Sequence, residues 1–292
     1  MIGLPQEFCD ATISREGDSG RVWLRQLPDR IEALKNRWNL VQDGELMHGY
    51  LAVVVPVLRK GEQLALKVSW IDRYSEQEAL ALKSWGGIGA VSLFESDTSE
   101  GAMLVERLDS SKTLETIPPE RAIRIAGGLL RKLAIRAPRE ITTVSSEVDQ
   151  IAVELPQDWN ELGKPFEKSI LDKAMGLLPE LRVSNASLLV NHDLHYGNVL
   201  AGKREPWIVI DPKVFAGDPE FALAQLIWQE FAAVNTDQDL DRVLGILIDE
   251  AELDAELSRK WLFVRVVSNR LWSLKEGFTR DAERCRKLAE WL

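Results

Sequence analysis

Between Leu188 and Phe221 stand three side chains whose oxygens, in this order, suit phosphoryl transfer: Asp193, Asn198 and Asp211. In such a site one carboxylate takes the proton of an attacking hydroxyl. An amide oxygen and a second carboxylate hold Mg²⁺ against the nucleotide phosphates. Asp193 opens D-L-H-Y-G-N, a turn-prone segment runs from Gly202 to Pro206, and the apolar run WIVI leads into Asp211. Asp, Asn and Gly also gather in turns for backbone reasons alone. What gives these three meaning is their setting between the strand-like runs LLV, NVLA and WIVI, whose ends would bring polar loops together.

Such a site needs a cation for the α- and β-phosphates, and the first third of the chain offers one. The apolar run 51–58, a turn at Arg59–Glu62 with Gly61, and QLALKVSW at 63–70 read as a β-hairpin whose second strand presents Lys67. A helix then begins at Ser75 and ends at Gly86-Gly87. Kinase folds hold the strand lysine with a glutamate from the next helix. Glu78 is the candidate partner and Glu76 the alternative; Ser75-x-x-Glu78 also reads as a capping box, in which the glutamate would satisfy a backbone N–H.

The motif reads N-H-D-L-H-Y-G-N and then I-D-P-K, which differs from the H-R-D-L-x-x-x-N of protein kinases. It resembles the aminoglycoside phosphotransferase superfamily, most closely its streptomycin/hydroxyurea kinase branch. That branch typically carries N-x-D-L-H-x-x-N followed by I-D-P-K-x-x-x-G-D-P-E-F. The resemblance extends to A-L-K-V and E-A-L-A-L around Lys67 and Glu78. Asn191 and His192 stand where most of the superfamily has His-Gly.

The resemblance implies an α+β, bilobal protein-kinase-like fold. A β-rich N-terminal lobe over 1–108 would cover the nucleotide, and a mainly helical C-terminal lobe over 109–292 would carry the catalytic loop and the substrate site, with the cleft between them as nucleotide site. Asp193 becomes the general base or hydroxyl-orienting carboxylate, and Asn198 and Asp211 the Mg²⁺ ligands. Lys67, held by Glu78, and Lys213 serve the phosphates of ATP, with GTP as the alternative nucleotide. The main chain of Glu106 through Leu108 would hydrogen-bond adenine. A small acceptor bearing a hydroxyl or a cationic group follows, streptomycin first, with hydroxyurea or a housekeeping metabolite as alternatives.

Composition agrees with this reading. The 292 residues are 45% hydrophobic and 28% charged, ordinary for a globular protein with a real core. The net charge of −10 opposes binding to a nucleic-acid backbone and attracts cations. Cys9 and Cys285 stand near opposite ends without metal-ligand spacing, which argues for a reducing compartment. The first residues lack the basic start and apolar run of a signal peptide, and the apolar run 51–58 is far too short to span a bilayer. A cytoplasmic protein, monomeric or dimeric, with no nucleic-acid or membrane partner is expected.

Along the chain, Leu24, Leu27, Ile31, Leu34 and Trp38 recur as one helical face, with Pro28 expected at a helix start. Gly44 and Gly49 flank a degenerate phosphate-covering loop, while no G-x-x-x-x-G-K-[ST] occurs, which excludes a P-loop ATPase. The run GGIG at 86–89 reads as a helix stop. Strands are expected at 90–96, with Val91 and Leu93 on one face, and at 102–108. Helices are expected at 120–136, 166–178, 219–235, 238–250, 254–276 and 280–292. His195 is expected to hold the catalytic loop by hydrogen bonds, because Mg²⁺ disfavours imidazole. Asp218, before Pro219, reads as an N-cap. Glu220, Trp228, Glu230 and Trp272 could line a substrate site, although core packing explains each aromatic equally well.

Two other classes fit less well. A protein kinase needs a regulated activation loop, and no A-P-E follows Asp211 before Asp218. A non-catalytic nucleotide-binding scaffold would be favoured by loss of Lys67, Asp193, Asn198 or Asp211, and all four are present.

Overall fold

A long helix laid on an antiparallel sheet forms the first of two compact units. The computed structural model describes residues 3–183 and 187–292. The chain divides into two compact units, residues 1–87 with 91–108, and residues 88–90 with 109–292.

In the first unit, α1 (Gln6–Arg37) precedes β1 (Val41–Gln42), β2 (Met47–His48), β3 (Ala52–Arg59), β4 (Glu62–Ser69), α2 (Glu78–Trp85), β5 (Leu93–Asp97) and β6 (Ala102–Glu106). The strands form one six-stranded antiparallel sheet ordered β1-β3-β4-β6-β5, with β2 also paired to β3. The β3–β4 hairpin closes on Lys60 (φ 52°) and Gly61 (φ 85°), the double left-handed turn whose twist matches that of the strands. Leu24, Leu27, Ile31 and Leu34 of α1 meet Val53, Val55, Val57, Leu64, Leu66 and Leu104 of the sheet in one buried cluster.

That cluster explains why Pro28 does not begin a helix: α1 runs through it. Buried side chains on both sides of Pro28 seat the helix on the sheet and offset the missing N–H. The bend falls instead at Gly17 (φ 60°, ψ −132°). The strand expected at 90–96 starts three residues later and is an edge strand with Phe94, Glu95 and Ser96 exposed. Val91 is buried but lies outside it. Likewise β6 ends at Glu106, short of Leu108.

Gly101 links β5 to β6 in a left-handed conformation (φ 62°), and a Cβ there would stand 2.5 Å from the Ser69 carbonyl oxygen. Gly61 shares the positive φ but has open space around it. Gly61→Ala should therefore cost only about 1 kcal/mol of backbone strain. Gly101→Ala adds a clash with main chain and should cost roughly 2–4 kcal/mol. Urea melts of the two variants compare them directly, and equal midpoints would contradict the packing argument.

The second unit holds α3 (Pro119–Leu133), α4 (Val144–Glu161), α5 (Lys168–Leu181), β7 (Leu188–Asn191), β8 (Val199–Ala201), β9 (Trp207–Val209), β10 (Val214–Gly217), α6 (Leu223–Ile227), α7 (Asp237–Ala251), α8 (Ala255–Lys275) and α9 (Thr279–Trp291). Helix α4 was not anticipated, although Val144, Val148, Ile151, Leu155 and Trp159 form its buried stripe and the Thr143 hydroxyl caps it. Pro156 inside it masked the periodicity. The helix expected over 219–235 is broken into a 3₁₀ turn at Pro219–Ala222, the short α6, and a second 3₁₀ turn at Glu230–Ala232 closed by Ala233 at φ 54°. Phe215, Phe221 and Trp261 stack edge to face at 5.6 and 5.0 Å, anchoring β10 and this broken segment on α8. Among the described residues, no helix is long and apolar enough to cross a membrane.

Candidate active site

Two groups of polar residues, one in each unit, contain the side chains singled out by the sequence. In the first unit Lys67 lies in β4 opposite Val54 of β3 and Met103 of β6. Its Nζ donates to both carboxylate oxygens of Glu78, at 2.7 and 2.6 Å, and both side chains are at most 10% exposed. Glu78 is the first residue of α2. The turn before it is capped by Asp72, whose Oδ1 accepts from the N–H groups of Tyr74 and Ser75. The Ser75 hydroxyl turns back to the Trp70 and Asp72 carbonyls. The two readings of Glu78 thus separate: its carboxylate meets Lys67, and the start of the helical segment is served by Asp72. Glu76 is exposed.

At the end of β6, Glu106 donates its N–H to the Ser92 carbonyl at 2.9 Å and accepts the Ser92 N–H on its carboxylate at 3.3 Å. Arg107 binds the carbonyl and carboxylate of Asp43 at 3.2 and 2.7 Å. Leu108 lies beyond the last ladder pair, Leu64↔Glu106. Glu106 is thus tied to Ser92 through both its main chain and its carboxylate, and Arg107 to Asp43.

In the second unit, antiparallel pairing of β7 with β10 sets Asn191 opposite Val214. The buried Asn191 side chain joins the two loops beyond these strands. Its Oδ1 accepts the N–H groups of Asp193 and Lys213, each at 3.2 Å. The His192 N–H donates to the Lys213 carbonyl at 2.9 Å. Asp193 is thereby held beside Lys213, whose Nζ is 3.1 Å from Asp193 Oδ2. The amide of Gln225 on α6 donates to Oδ1 at 3.0 Å.

A second hairpin, β8–β9, sets Asn198 and Asp211 at one end of its ladder. The register Val199↔Val209 continues through a 2.9 Å bond from the Ile210 N–H to the Asn198 carbonyl, so Asp211 follows directly on the partner of Asn198. The Asn198 amide reaches the Asp193 carbonyl at 3.5 Å. Asp211 is exposed and adopts φ 50°, a conformation unfavourable for a residue with a Cβ and most often tolerated by Asn, Asp or Gly. Strain of this sort gathers where a side chain must be aimed for function. One amide oxygen and one carboxylate suit Mg²⁺, which completes its shell with water and phosphate oxygens. Among the described residues, no cluster of three His, Cys, Asp or Glu forms a closed metal cage.

Several expectations need correction. The bond that His195 supplies to the loop is its main-chain carbonyl, which accepts the Asn198 N–H at 2.9 Å. The imidazole itself packs against Gly197. The histidine ring that braces this segment is His192, 4.8 Å from the Phe215 ring and 5.9 Å from Phe221. Asp218 gives no side-chain cap; its buried carboxylate instead accepts the Trp261 indole N–H at 3.3 Å. Glu220 is a structural residue, because its buried carboxylate accepts the Asp254 N–H at the start of α8. Burial pushes its pKa up. Trp228 is half-buried near the Arg265 guanidinium, Glu230 is exposed 3.6 Å from Arg284, and Trp272 is exposed against Phe278. Asn191 and Gln225 were missed as site residues. Asn191 stood out only as a departure from His-Gly, and Gln225 lies 32 positions from the carboxylate it holds.

A kinase-like fold with these groups defines a phosphotransferase acting on a hydroxyl. The chain belongs to the aminoglycoside/hydroxyurea antibiotic resistance kinase family, whose model matches residues 37–277. It is 34% identical to a hydroxyurea phosphotransferase of Kitasatospora aureofaciens, over 100% of this chain and 86% of that protein. It is 32% identical to a streptomycin 6-kinase of Streptomyces griseus, over 100% of this chain and 97% of the relative. Among solved structures, a thermostable mutant of aminoglycoside phosphotransferase APH(4)-Ia in ternary complex with AMP-PNP and hygromycin B shares the fold. Its TM-score is 0.63 at 15% identity, covering 89% of this chain and 97% of that one.

Proposed function

We propose that the chain transfers the γ-phosphoryl group of ATP to a hydroxyl of streptomycin, in the cytoplasm. The observation that carries this is the arrangement at Asp193: a carboxylate held at both oxygens by Lys213 and Gln225, with Asn198 against its main chain. In the reaction the acceptor oxygen bonds to the γ-phosphorus, the bond to the β–γ bridging oxygen breaks, and the hydroxyl proton passes to the Asp193 carboxylate. Orientation of the hydroxyl contributes more than basicity where the transition state is loose. Mg²⁺, when bound, neutralises charge on the β- and γ-phosphates, and Asn198 and Asp211 are the residues that would hold it. Lys67, fixed by Glu78, is assigned to the α- and β-phosphates. Lys213 adds positive charge beside Asp193. The main chain of Glu106 and Leu108 is assigned to adenine.

Streptomycin is favoured by the near-complete coverage of a streptomycin 6-kinase and by the net charge of −10, which attracts a guanidinium-bearing sugar. Hydroxyurea is the second reading, supported by the hydroxyurea phosphotransferase at 34% identity. Incubation with γ-labelled ATP, Mg²⁺ and each acceptor separates them. Label in streptomycin and none in hydroxyurea is expected, and the reverse would reassign the acceptor. GTP in place of ATP, run in parallel, fixes the nucleotide.

A further inference from the structure

The segment between β2 and β3, Gly49 to Leu51, adjoins the strand that pairs with the one carrying Lys67. Lys67 pairs with Val54, and Tyr50 lies four residues before Val54, about 13 Å along an extended chain. If Lys67 receives the α- and β-phosphates, as proposed above, this turn is within reach of the same triphosphate. Loops of this kind need their backbone held, and Gly49–Leu51 lies outside the strand ladders, with Gly49 N–H to the Ala52 carbonyl at 2.9 Å and Trp70 N–H to the Leu51 carbonyl at 2.8 Å.

Helix α1 supplies the rest. Arg15 donates from Nη1 to the Tyr50 carbonyl at 3.0 Å, and its guanidinium lies 4.6 Å from the Tyr50 ring centroid. About two turns earlier, Phe8 packs on the His48 ring at 5.6 Å and on Trp23 at 6.0 Å. The break at Gly17 lets the stretch before it depart from the axis of the stretch that packs on the sheet. Arg15 is 18% exposed, its Nε binds Glu16 at 2.7 Å, and its Nη2 is buried without a hydrogen-bond partner. An arginine serving only solubility would keep all its nitrogens in water, since a buried donor left unpaired costs about 1–3 kcal/mol. This one is drawn under the turn. Arg15 and Phe8 precede the span matched by the family model, while Tyr50 and His48 lie within it.

We infer that the N-terminal stretch of α1 is a brace for the phosphate-covering turn, and that Arg15 is a positioning residue for nucleotide affinity, acting through Tyr50. It rests on the reading that Lys67 serves the nucleotide phosphates. A hydrogen bond from a charged donor together with a partly exposed cation–π contact corresponds to roughly a tenfold effect.

Isothermal titration of the full chain with Mg²⁺ and AMP-PNP, and separately with adenosine, tests it. Arg15→Ala should weaken AMP-PNP about tenfold while adenosine, which has no phosphates for the turn to cover, changes less than twofold. Tyr50→Leu, which removes only the ring contact at an exposed position, should weaken AMP-PNP by about threefold. Hydrogen exchange at Gly49–Leu51 should quicken in both variants. Equal loss for both ligands would show a general structural role and overturn the brace, as would unchanged AMP-PNP affinity. If Arg15→Ala does not fold, Tyr50→Leu decides by the same criteria. A parent chain that binds adenosine but not AMP-PNP would instead sink the assignment of Lys67 to phosphates, and the inference with it.

Discussion

Asp193→Asn should lower kcat by about 10²–10⁴ while leaving nucleotide affinity within a few-fold of the parent. The substitution keeps the shape of the side chain and the oxygen that accepts from Gln225 at 3.0 Å. It removes the charge that faces Lys213 at 3.1 Å and the ability to take a hydroxyl proton. A defect confined to kcat distinguishes loss of the base from misfolding of the loop. Asn191, which binds the Asp193 and Lys213 N–H groups through its own side chain, continues to set the backbone. Single-turnover transfer to streptomycin alongside AMP-PNP titration measures both quantities. Transfer at the parent rate would remove Asp193 from its role. An equal collapse of nucleotide binding would show that the charge balance with Lys213, and not the proton, was what mattered.

The second large effect concerns stability as well as function. Glu78→Ala should destabilise the first unit by roughly 3–5 kcal/mol, because it strips the carboxylate from a lysine that is at most 10% exposed. Two opposing terms decide this number. Desolvating each ion costs several kcal/mol, and the bidentate contact at 2.6 and 2.7 Å repays that cost only while both partners are present. The pair Lys67→Met with Glu78→Leu should therefore recover much of the loss, since apolar replacements of a buried pair are often neutral or stabilising by about 1–4 kcal/mol. It should nonetheless fail to transfer phosphate. Urea midpoints of the single and double variants, with turnover measured at a temperature where both are folded, test the argument. A double variant less stable than Glu78→Ala would show that the ion pair is a net structural asset. A double variant that still turns over would end the assignment of Lys67 to the nucleotide.

Much of the candidate site was legible in the chain itself because it is built from short-range order. Asp193 to Asn198 lies within one loop, and a two-strand hairpin returns Asp211 to the same end. The β3–β4 hairpin and the glycine stop after α2 were equally local, since left-handed turns and strand alternation leave residue-level signatures. The choice between ion pair and capping box for Glu78 was not local. It depended on where β4 placed an ammonium relative to the first turn of α2, and on Asp72 already capping that start.

Pro28 shows the limit from the other side. Intrinsic propensity marks a helix boundary there, and a buried stripe on both sides of it overrides that preference. The 219–235 segment fails in the opposite direction: apolar composition suggested one helix, and packing of Phe221 between Phe215 and Trp261 imposes a broken path instead. By itself the sequence determined the chemistry, because phosphoryl transfer demands particular oxygen donors in a particular order. Only the tertiary structure decided how those donors are held. Asn191 and Gln225, the residues that hold Asp193, act through contacts that strand pairing and helix packing create, and such contacts leave no pattern along a chain.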